Sequence, residues 1–216
     1  MKRILVLNGY ACKSWIWNEI NSSLKNHYKF DLIEWPNEKI SEFHDFDSYV
    51  QWVTNKVFNT YDKYDIIMGH SMGGLIAIYL AKKFPKKIKD IILVESFVTP
   101  PKKFFQNLIH DKVSQETIDQ VDKMLKEEKN FYSKELPNQF RELDLTEIVR
   151  ALPCNIHAIY GDRGVQDTEG VISELKWNKL IKDKINVCSI HNSCHFPMLE
   201  NPMEFNEKLS AILKLK

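Results

Sequence analysis

The sequence has no excess of charge of either sign and no long apolar run. Its 30 lysine and arginine residues nearly balance 29 aspartate and glutamate residues, so the formal net charge is +1 and leaves no surplus to neutralise phosphates. No apolar run approaches the roughly 20 residues that a membrane helix needs. We therefore expect neither nucleic acid nor a membrane as a partner.

The sequence also lacks signs of secretion and of metal binding. The start MKRILVLNGY passes into a polar segment before the apolar core of a signal peptide could form, so we expect a cytoplasmic protein. The cysteines show neither a CxxC pair nor the spacing of metal ligands, and an unsecreted chain of this size needs no disulfide. We predict no metal and no organic cofactor. The thiols are interpreted as buried or incidental: Cys12, Cys154, Cys188 and Cys194.

Short apolar runs rich in isoleucine, leucine and valine recur with room for a helix between them. Most are apolar on both faces, as strands of a covered parallel sheet must be. The final helix has a start signal, with Asn201 at the N-cap, Pro202 in the first turn and Glu204 three residues after the cap. The pattern predicts an α/β fold with a mostly parallel sheet of about six strands and helices on both faces. The runs are RILVLN (3–8), FDLIEW (30–35), DIIMG (65–69), DIILVES (90–96), IHAIYG (156–161) and INVCSI (185–190).

One interval breaks this alternation of strand and helix. From about residue 97 to residue 152 there is no strand candidate, only lysine-rich polar stretches and helical patterns in SQETIDQVDKMLKEEK and LDLTEIVRAL. The length of 216 residues suffices for one substantial core. We therefore expect a single domain over residues 1–216, with residues 98–152 as a helical insertion between two strands.

The stretch GHSMGG, residues 69–74, directly follows one predicted strand and opens a helix. A GxSxG match is weak by itself, because glycine and serine are common in turns. The placement between strand and helix is what a nucleophile elbow requires, with Ser71 strained between Gly69 and Gly73. The helix N-terminus would direct N–H groups and the positive end of its dipole to Ser71, where charge develops during acyl transfer.

A serine nucleophile needs a base, and ligands of open parallel sheets bind beyond the carboxyl ends of the strands. His191 closes the last strand, whereas His195 lies in the following loop, HFPMLENP, from which a base can reach the elbow. His70 adjoins Ser71, but neighbours on such a turn point in different directions, so we assign it a lining role. Histidines before or inside other elements are assigned to the surface or the framework: His27, His44, His110 and His157.

With GHSMGG, LNGY after the first strand and HFPMLENP before the last helix, the chain resembles the α/β-hydrolase superfamily, and in particular its small capped carboxylesterases. The resemblance covers the whole chain in order. It implies Ser71 as the nucleophile, His195 as the base, and the backbone N–H groups of Tyr10 and Met72 as the oxyanion hole. The family often has His-Gly where this chain has Asn8 before a glycine, so the network behind that loop must differ.

The carboxylate behind His195 is left open by the sequence. The family usually carries it as G-x-x-D after the penultimate strand, but GDRG places Gly164 there. Asp162 comes two residues early and Asp167 three residues late. Glu95 ends the strand after the elbow, and haloalkane dehalogenases are similar in having a glutamate there and a glycine at the usual position. We predict Glu95 as the acid, with Asp162 as its main rival.

By the same resemblance, the insertion at residues 98–152 would cover the site as a cap. Most of its apolar residues would pack the cap onto the body, and a minority would line an acyl pocket. The residues expected to contact the substrate are Tyr10, Trp15, Trp35, His70 and Met198. The start of the cap is basic, with Lys102, Lys103 and Lys112, and could receive an acyl-carrier protein, as in esterases that act on carrier-bound pimeloyl methyl ester. The rest of the cap is rich in Glu and Asp, so the ordinary interpretation is a solvated charged face.

The sequence thus favours a serine esterase that cleaves a carboxylic ester or thioester of a small or medium acyl group through an acyl-enzyme. Two alternatives use the same scaffold. One is a lyase or cofactor-free peroxidase, which would turn over without an acyl-enzyme. The other is a ligand-binding or signalling protein with negligible turnover, which the glycine at position 164 keeps open.

Overall fold

The computed structural model describes residues 2–36, 43, 45–58 and 64–214. Its strands are β1 (Lys2–Leu7), β2 (Tyr28–Ile33), β3 (Ile66–His70), β4 (Asp90–Val94), β5 (Asn155–Gly161) and β6 (Ile185–Ile190). They form one sheet in the order β2-β1-β3-β4-β5-β6, and each neighbouring pair is parallel. The predicted α/β fold with a parallel sheet of six strands is confirmed.

Helices alternate with the strands along the chain. They are α1 (Asn18–Leu24), α2 (Phe46–Val53), α3 (Met72–Lys83), α4 (Gln115–Glu128), α5 (Leu136–Arg141), α6 (Thr146–Ala151), α7 (Thr168–Leu175), α8 (Lys179–Lys182), α9 (Pro197–Glu200) and α10 (Pro202–Ile212). The start signal of α10 is confirmed, because the Asn201 side chain accepts a hydrogen bond from the Glu204 N–H at 3.4 Å. Among the described residues, no helix is both long enough and apolar enough to cross a membrane.

Alternate residues of the strands enter two apolar layers on opposite faces of the sheet. On β1, Leu5 and Leu7 pack with Leu75 of α3, whereas Ile4 and Val6 pack in the layer that contains α10. Residues of both faces are fully buried, which explains why the strands read as continuous apolar runs.

One predicted strand is displaced along the sequence. FDLIEW was predicted to span residues 30–35, but β2 spans Tyr28–Ile33. The register with β1 pairs Lys2 with Tyr28 and Leu7 with Ile33, so the chain leaves the sheet where β1 ends. Trp35 therefore lies in a loop rather than in a strand.

The connection from β4 to β5 contains no strand, and all of its residues are described. It consists of short 3-10 turns at Lys103–Gln106 and Lys129–Phe131, together with α4, α5 and α6. The end of the connection packs on the body, because Leu145 and Val149 are buried in the same layer as α3.

The first turn of α3 lies directly against the end of β1, and Gly73 makes this approach possible. A Cβ atom built on Gly73 would lie 2.4 Å from the carbonyl oxygen of Leu7 and 2.6 Å from that of Asn8. Both contacts are backbone atoms, so neither can move without shifting β1 or α3. The glycine therefore fixes how closely the elbow approaches the loop after β1.

We expect Gly73→Ala to lower the free energy of unfolding by about 3 kcal/mol, since overpacking against backbone forces a shift of the chain. Urea denaturation of the variant and the parent protein measures this. Gly164→Ala is the matched control: it meets no atom within 4 Å but has a φ of +82°, so only backbone strain of about 1 kcal/mol applies. Equal losses in the two variants would contradict the steric explanation.

Candidate active site

Ser71 lies at the turn between β3 and α3 with φ 50° and ψ −119°, a conformation that L-residues rarely adopt. Its N–H donates to the carbonyl of Val94 at 2.8 Å, which ties the turn to the neighbouring strand. The glycines two positions away are sterically required. A Cβ on Gly69 would lie 2.4 Å from backbone atoms of Gly73 and Gly74. This is the strand–turn–helix geometry that the GxSxG spacing predicts.

The loop after β1 lies against this turn. A Cβ on Gly9 would lie 3.2 Å from the Cβ of Ser71 and 2.7 Å from Nδ1 of His70. Within the described part of the chain, the backbone N–H groups of Tyr10 and Met72 donate no hydrogen bond. Both residues line the same cavity as Ser71. Two unpaired donors are therefore available beside the serine.

Asn8 organises the interior behind this loop, at the position where the family often has histidine. It is fully buried, and its Nδ2 donates to the carbonyl of Ile33 at 3.0 Å. Its Oδ1 accepts a hydrogen bond from the indole N–H of Trp17, also at 3.0 Å. Asn8 therefore links the ends of β1 and β2 through its side-chain amide, which satisfies both of its polar atoms.

His195 lies in the loop between β6 and α9, and its side chain is 14% exposed. Its N–H donates to the carbonyl of Leu108 in the β4–β5 connection at 3.0 Å. Glu200 holds the same loop by accepting backbone N–H bonds from Cys194 and Phe196, at 2.9 and 2.8 Å, and from His110 at 2.7 Å. The sequence reasoning assigned no role to Glu200.

Glu95 follows β4 and is the carboxylate that lies next to His195. Its Oε2 is 3.4 Å from Nδ1 of His195, and its Oε1 accepts the N–H of Gly161 at 2.6 Å. The two rival carboxylates bind elsewhere. Asp162 accepts the N–H of Gly164 within its own turn at 3.1 Å, and Asp167 caps α7 through the N–H of Gly170 at 2.8 Å.

Arg163 also binds Glu95, and sequence reasoning missed it. Its Nη1 and Nη2 donate to the two carboxylate oxygens of Glu95 at 3.0 and 2.6 Å. The side chains of Arg163 and Glu95 are 2% and 0% exposed. A signal was present in GDRG, because a glutamate buried at a strand end needs a cation and an arginine occurs beside the missing aspartate.

The charge states of two groups follow from their surroundings. Burial alone would raise the pKa of Glu95, but the charge of Arg163, followed by the hydrogen bond with His195, lowers it to about 2. Burial lowers the pKa of His70 to about 3, helped by its neighbour His195. Glu95 is therefore ionised and His70 neutral around neutral pH.

His70 lies behind His195 instead of in the cavity wall. Its Nε2 is 2.8 Å from the carbonyl oxygen of His195, and the two ring centres are 4.7 Å apart. Its Nδ1 has no hydrogen-bond partner among the described residues. Of the other histidines, His44 lies outside the described residues, and His191 binds Glu204 through Nδ1 at 2.8 Å.

A cavity of about 550 Å³ joins these groups. Ser71, His195 and Glu95 lie in its wall, with Tyr10 and Met72 beside them. Much of the remaining wall comes from the β4–β5 connection, including Phe97, Pro100, Pro101, Phe105, Gln106, Leu108, Leu125, Lys129, Phe140 and Arg141. The cavity is therefore mostly apolar with a few polar groups at the serine, as is usual for small-molecule sites.

Besides His70, three other residues predicted to contact the substrate lie outside this wall. Trp35 is buried and donates its indole N–H to the carbonyl of Gly9 at 3.3 Å. Met198 is fully buried in the apolar layer of α10. Trp15 lines a separate surface cavity of about 290 Å³ beside α4. Packing, which the sequence pattern does not specify, sets the directions of these side chains.

Comparison with known proteins identifies the class to which this fold and site belong. The sequence model of the α/β hydrolase fold matches residues 2–143, so the chain belongs to the α/β-hydrolase fold family. A pimeloyl-[acyl-carrier protein] methyl ester esterase of Wigglesworthia glossinidia brevipalpis is 30% identical over 93 residues. That alignment covers 43% of this chain and 36% of the relative, well under half of its length.

Solved structures share the fold over nearly the whole chain. A bacterial membrane phospholipase A matches with a TM-score of 0.75 and 17% identity, covering 99% of this chain and 78% of that one. The carboxylesterase CesB of Bacillus subtilis matches with a TM-score of 0.73 and 11% identity, covering 98% of this chain and 83% of that one. At these identities the likeness shows the fold alone.

The low pKa of Glu95 predicts how stability depends on pH. Folding lowers this pKa, so ionised Glu95 stabilises the fold above the ordinary carboxyl range, and this contribution is lost as the pH falls towards 2. We expect Glu95→Gln to lower the free energy of unfolding at pH 7 by about 3 to 5 kcal/mol, because Arg163 is left buried without its partner. The difference from the parent protein should shrink towards pH 3.

Urea denaturation at pH 7, 5 and 3 measures this dependence. Asp167→Asn is the control, because asparagine also caps a helix and the stability of α7 should change little at any of these pH values. A Glu95→Gln variant as stable as the parent protein at pH 7 would rule out the buried ion pair as a stabilising element.

Proposed function

We propose that this protein is a serine hydrolase that cleaves a carboxylic ester of a small or medium acyl group, or the corresponding thioester, through an acyl-enzyme. The observation that carries the proposal is the convergence of Ser71, His195 and Glu95 on one cavity beside two unpaired backbone N–H groups. A nucleophile, a base, an orienting acid and oxyanion donors are the groups that acyl transfer needs.

In the first half of this mechanism, His195 takes the proton of the Ser71 hydroxyl as its oxygen attacks the acyl carbon. The N–H groups of Tyr10 and Met72 donate to the oxyanion of the tetrahedral intermediate, and the N-terminus of α3 adds its dipole. Glu95 accepts from Nδ1 of His195 and stabilises the imidazolium. His195 then protonates the departing alcohol or thiol, which leaves Ser71 acylated.

In the second half, water enters in place of the alcohol. His195 takes a proton from this water as it attacks the acyl-enzyme, and the same two N–H groups stabilise the second oxyanion. Collapse of the intermediate returns the proton to Ser71 and frees the carboxylic acid. The arrangement needs no redox change and no group beyond those of the chain and a water molecule.

In this proposal the helical insertion at residues 98–152 acts as a cap of a single domain and selects the acyl group. Support comes from the apolar residues that it contributes to the cavity wall, among them Phe105, Leu108, Leu125 and Phe140. The cavity volume of about 550 Å³ suits a small or medium acyl chain. The relatives named for carrier-bound pimeloyl methyl ester support an ester substrate and make an acyl-carrier protein a candidate donor.

The proposal predicts a covalent adduct at Ser71. A fluorophosphonate probe should label the parent protein, and Ser71→Ala should abolish labelling and lower kcat for p-nitrophenyl esters at least about 10³-fold. For esters of graded acyl length, kcat/KM should reach an optimum, since the insertion supplies much of the cavity wall and the cavity volume is about 550 Å³. Full activity of Ser71→Ala would refute the mechanism, turnover without an adduct would favour a lyase or peroxidase, and binding without turnover would favour a ligand-binding role.

The assignment of the acid gives a second prediction. Glu95→Gln should lower kcat by about 10³- to 10⁴-fold, because the amide cannot stabilise the imidazolium of His195. Asp162→Asn is the matched control at the neighbouring strand end, where the Asn Oδ1 can still accept the N–H of Gly164, so kcat should stay within a few-fold. A larger loss in Asp162→Asn than in Glu95→Gln would assign the role to Asp162.

A further inference from the structure

The carboxylate of Glu95 is shared between a cation and the predicted base. Arg163 approaches it with both Nη atoms, at 3.0 Å from Oε1 and 2.6 Å from Oε2, whereas Nδ1 of His195 is 3.4 Å from the same Oε2. We propose that Arg163 is a positioning residue of the proposed reaction: it holds Glu95 in one orientation and, by neutralising its charge, keeps His195 unprotonated to lower pH.

The pair is shielded from water, which makes its charges effective. The side chains of Arg163 and Glu95 are 2% and 0% exposed. Charges that water does not screen interact several times more strongly than they would on the surface. In such a place an unpaired carboxylate would strongly favour the imidazolium form of His195. A carboxylate already paired with a guanidinium favours it much less.

The chain fixes the arginine from several sides. Its backbone has a φ of 49°, and its N–H donates to the carbonyl of Ser193 at 3.0 Å, in the loop that carries His195. Nη1 also donates to the carbonyl of Gly161 at 3.0 Å. The guanidinium carbon lies 5.0 Å from the ring centre of Phe105 and 6.0 Å from that of Phe104. The guanidinium is therefore held in one place and is enclosed by the insertion.

Other ionisable groups surround this pair. Loss of the Arg163 charge would raise the pKa of Tyr160 and that of Cys194 further, so both groups stay neutral in the variant. Burial keeps Tyr160 protonated by raising its pKa well above the usual value, and it raises the pKa of Cys194 to about 12. His70 is neutral, as described above. Two further carboxylates face the same region: Glu200, whose pKa is raised by burial, and Asp162, which binds its own turn. A change that follows substitution of Arg163 therefore reports on its pair with Glu95.

The test compares the titration of His195 in the parent protein and in Arg163→Gln. The ring is followed by NMR, with the signal assigned by its loss in His195→Gln, and the acid limb of kcat/KM is measured with a p-nitrophenyl ester. Without the guanidinium, the Glu95–His195 pair holds a proton to higher pH. Both midpoints should therefore rise by about one pH unit or more. An unchanged or lower midpoint in the folded variant overturns the proposal.

The conservative variant Arg163→Lys separates the effect of the positive charge from the effect of holding Glu95 in one orientation. Arg163→Lys keeps a positive charge but loses the two-pronged contact, so the midpoint should stay within a few tenths of the parent value. The plateau value of kcat should fall about tenfold with KM unchanged, because Glu95 is no longer held in one orientation. If Arg163→Gln does not fold, this variant decides: a shifted midpoint together with an unaltered kcat overturns the proposal.

Arg150→Gln is the matched control. Arg150 pairs with Glu147 on the surface, so this substitution should leave both midpoints unchanged. The inference rests on the proposed function only for the measurement of kcat and kcat/KM. NMR titration of His195 does not require turnover. If the protein hydrolyses no ester, the proposed function is refuted, whereas the effect of Arg163 on the His195 titration can still be measured.

Discussion

A fully buried carboxylate at the end of β4 is the constraint on which the rest of the site depends. An isolated charge in such a place is costly, and Glu95 is retained there only because Arg163, the Gly161 N–H and His195 surround it. These partners come from the end of β5 and from the loop after β6. The contacts that stabilise the charge of Glu95 thus connect the carboxyl ends of three strands, where the groups that face the cavity also lie.

The turn at Ser71 lies at the same edge of the sheet, and a steric constraint fixes its position. The strained backbone of Ser71 is sustained by the hydrogen bond from its N–H to Val94 and by glycines that let α3 approach β1. Since Val94 directly precedes Glu95, the residue that accepts the Ser71 N–H and the carboxylate next to His195 are neighbours at one strand end. The separation of Ser71 and Glu95 is therefore set by the sheet.

Much of this was predictable because it is encoded locally. Gly69, Ser71 and Gly73 specify a turn by their spacing, and Asn201 with Glu204 specifies a helix start, so fold class and elbow followed from the sequence. The directions of several side chains could not be predicted from the sequence. Trp35 was predicted to end a strand and Met198 to lie near His195, yet both side chains are buried in the core, because tertiary packing decides which way a side chain points. Arg163 and Glu200 were missed for a related reason: each has a partner far along the chain, Glu95 at 68 residues and His110 at 90 residues, respectively.

Glu200 couples the β4–β5 connection to the loop that carries His195. One of its carboxylate oxygens accepts the N–H of His110 in the insertion, and the other accepts the N–H groups on both sides of His195. The His195 N–H in turn donates to Leu108. The start of the β4–β5 connection is thus hydrogen-bonded to the backbone around His195, so a shift of one segment is transmitted to the other. Phe140 and Arg141 also line the cavity but take no part in these bonds. Under the proposed function, we therefore expect substitutions that change acyl specificity to be tolerated at Phe140 and Arg141 and restricted near Leu108 and His110.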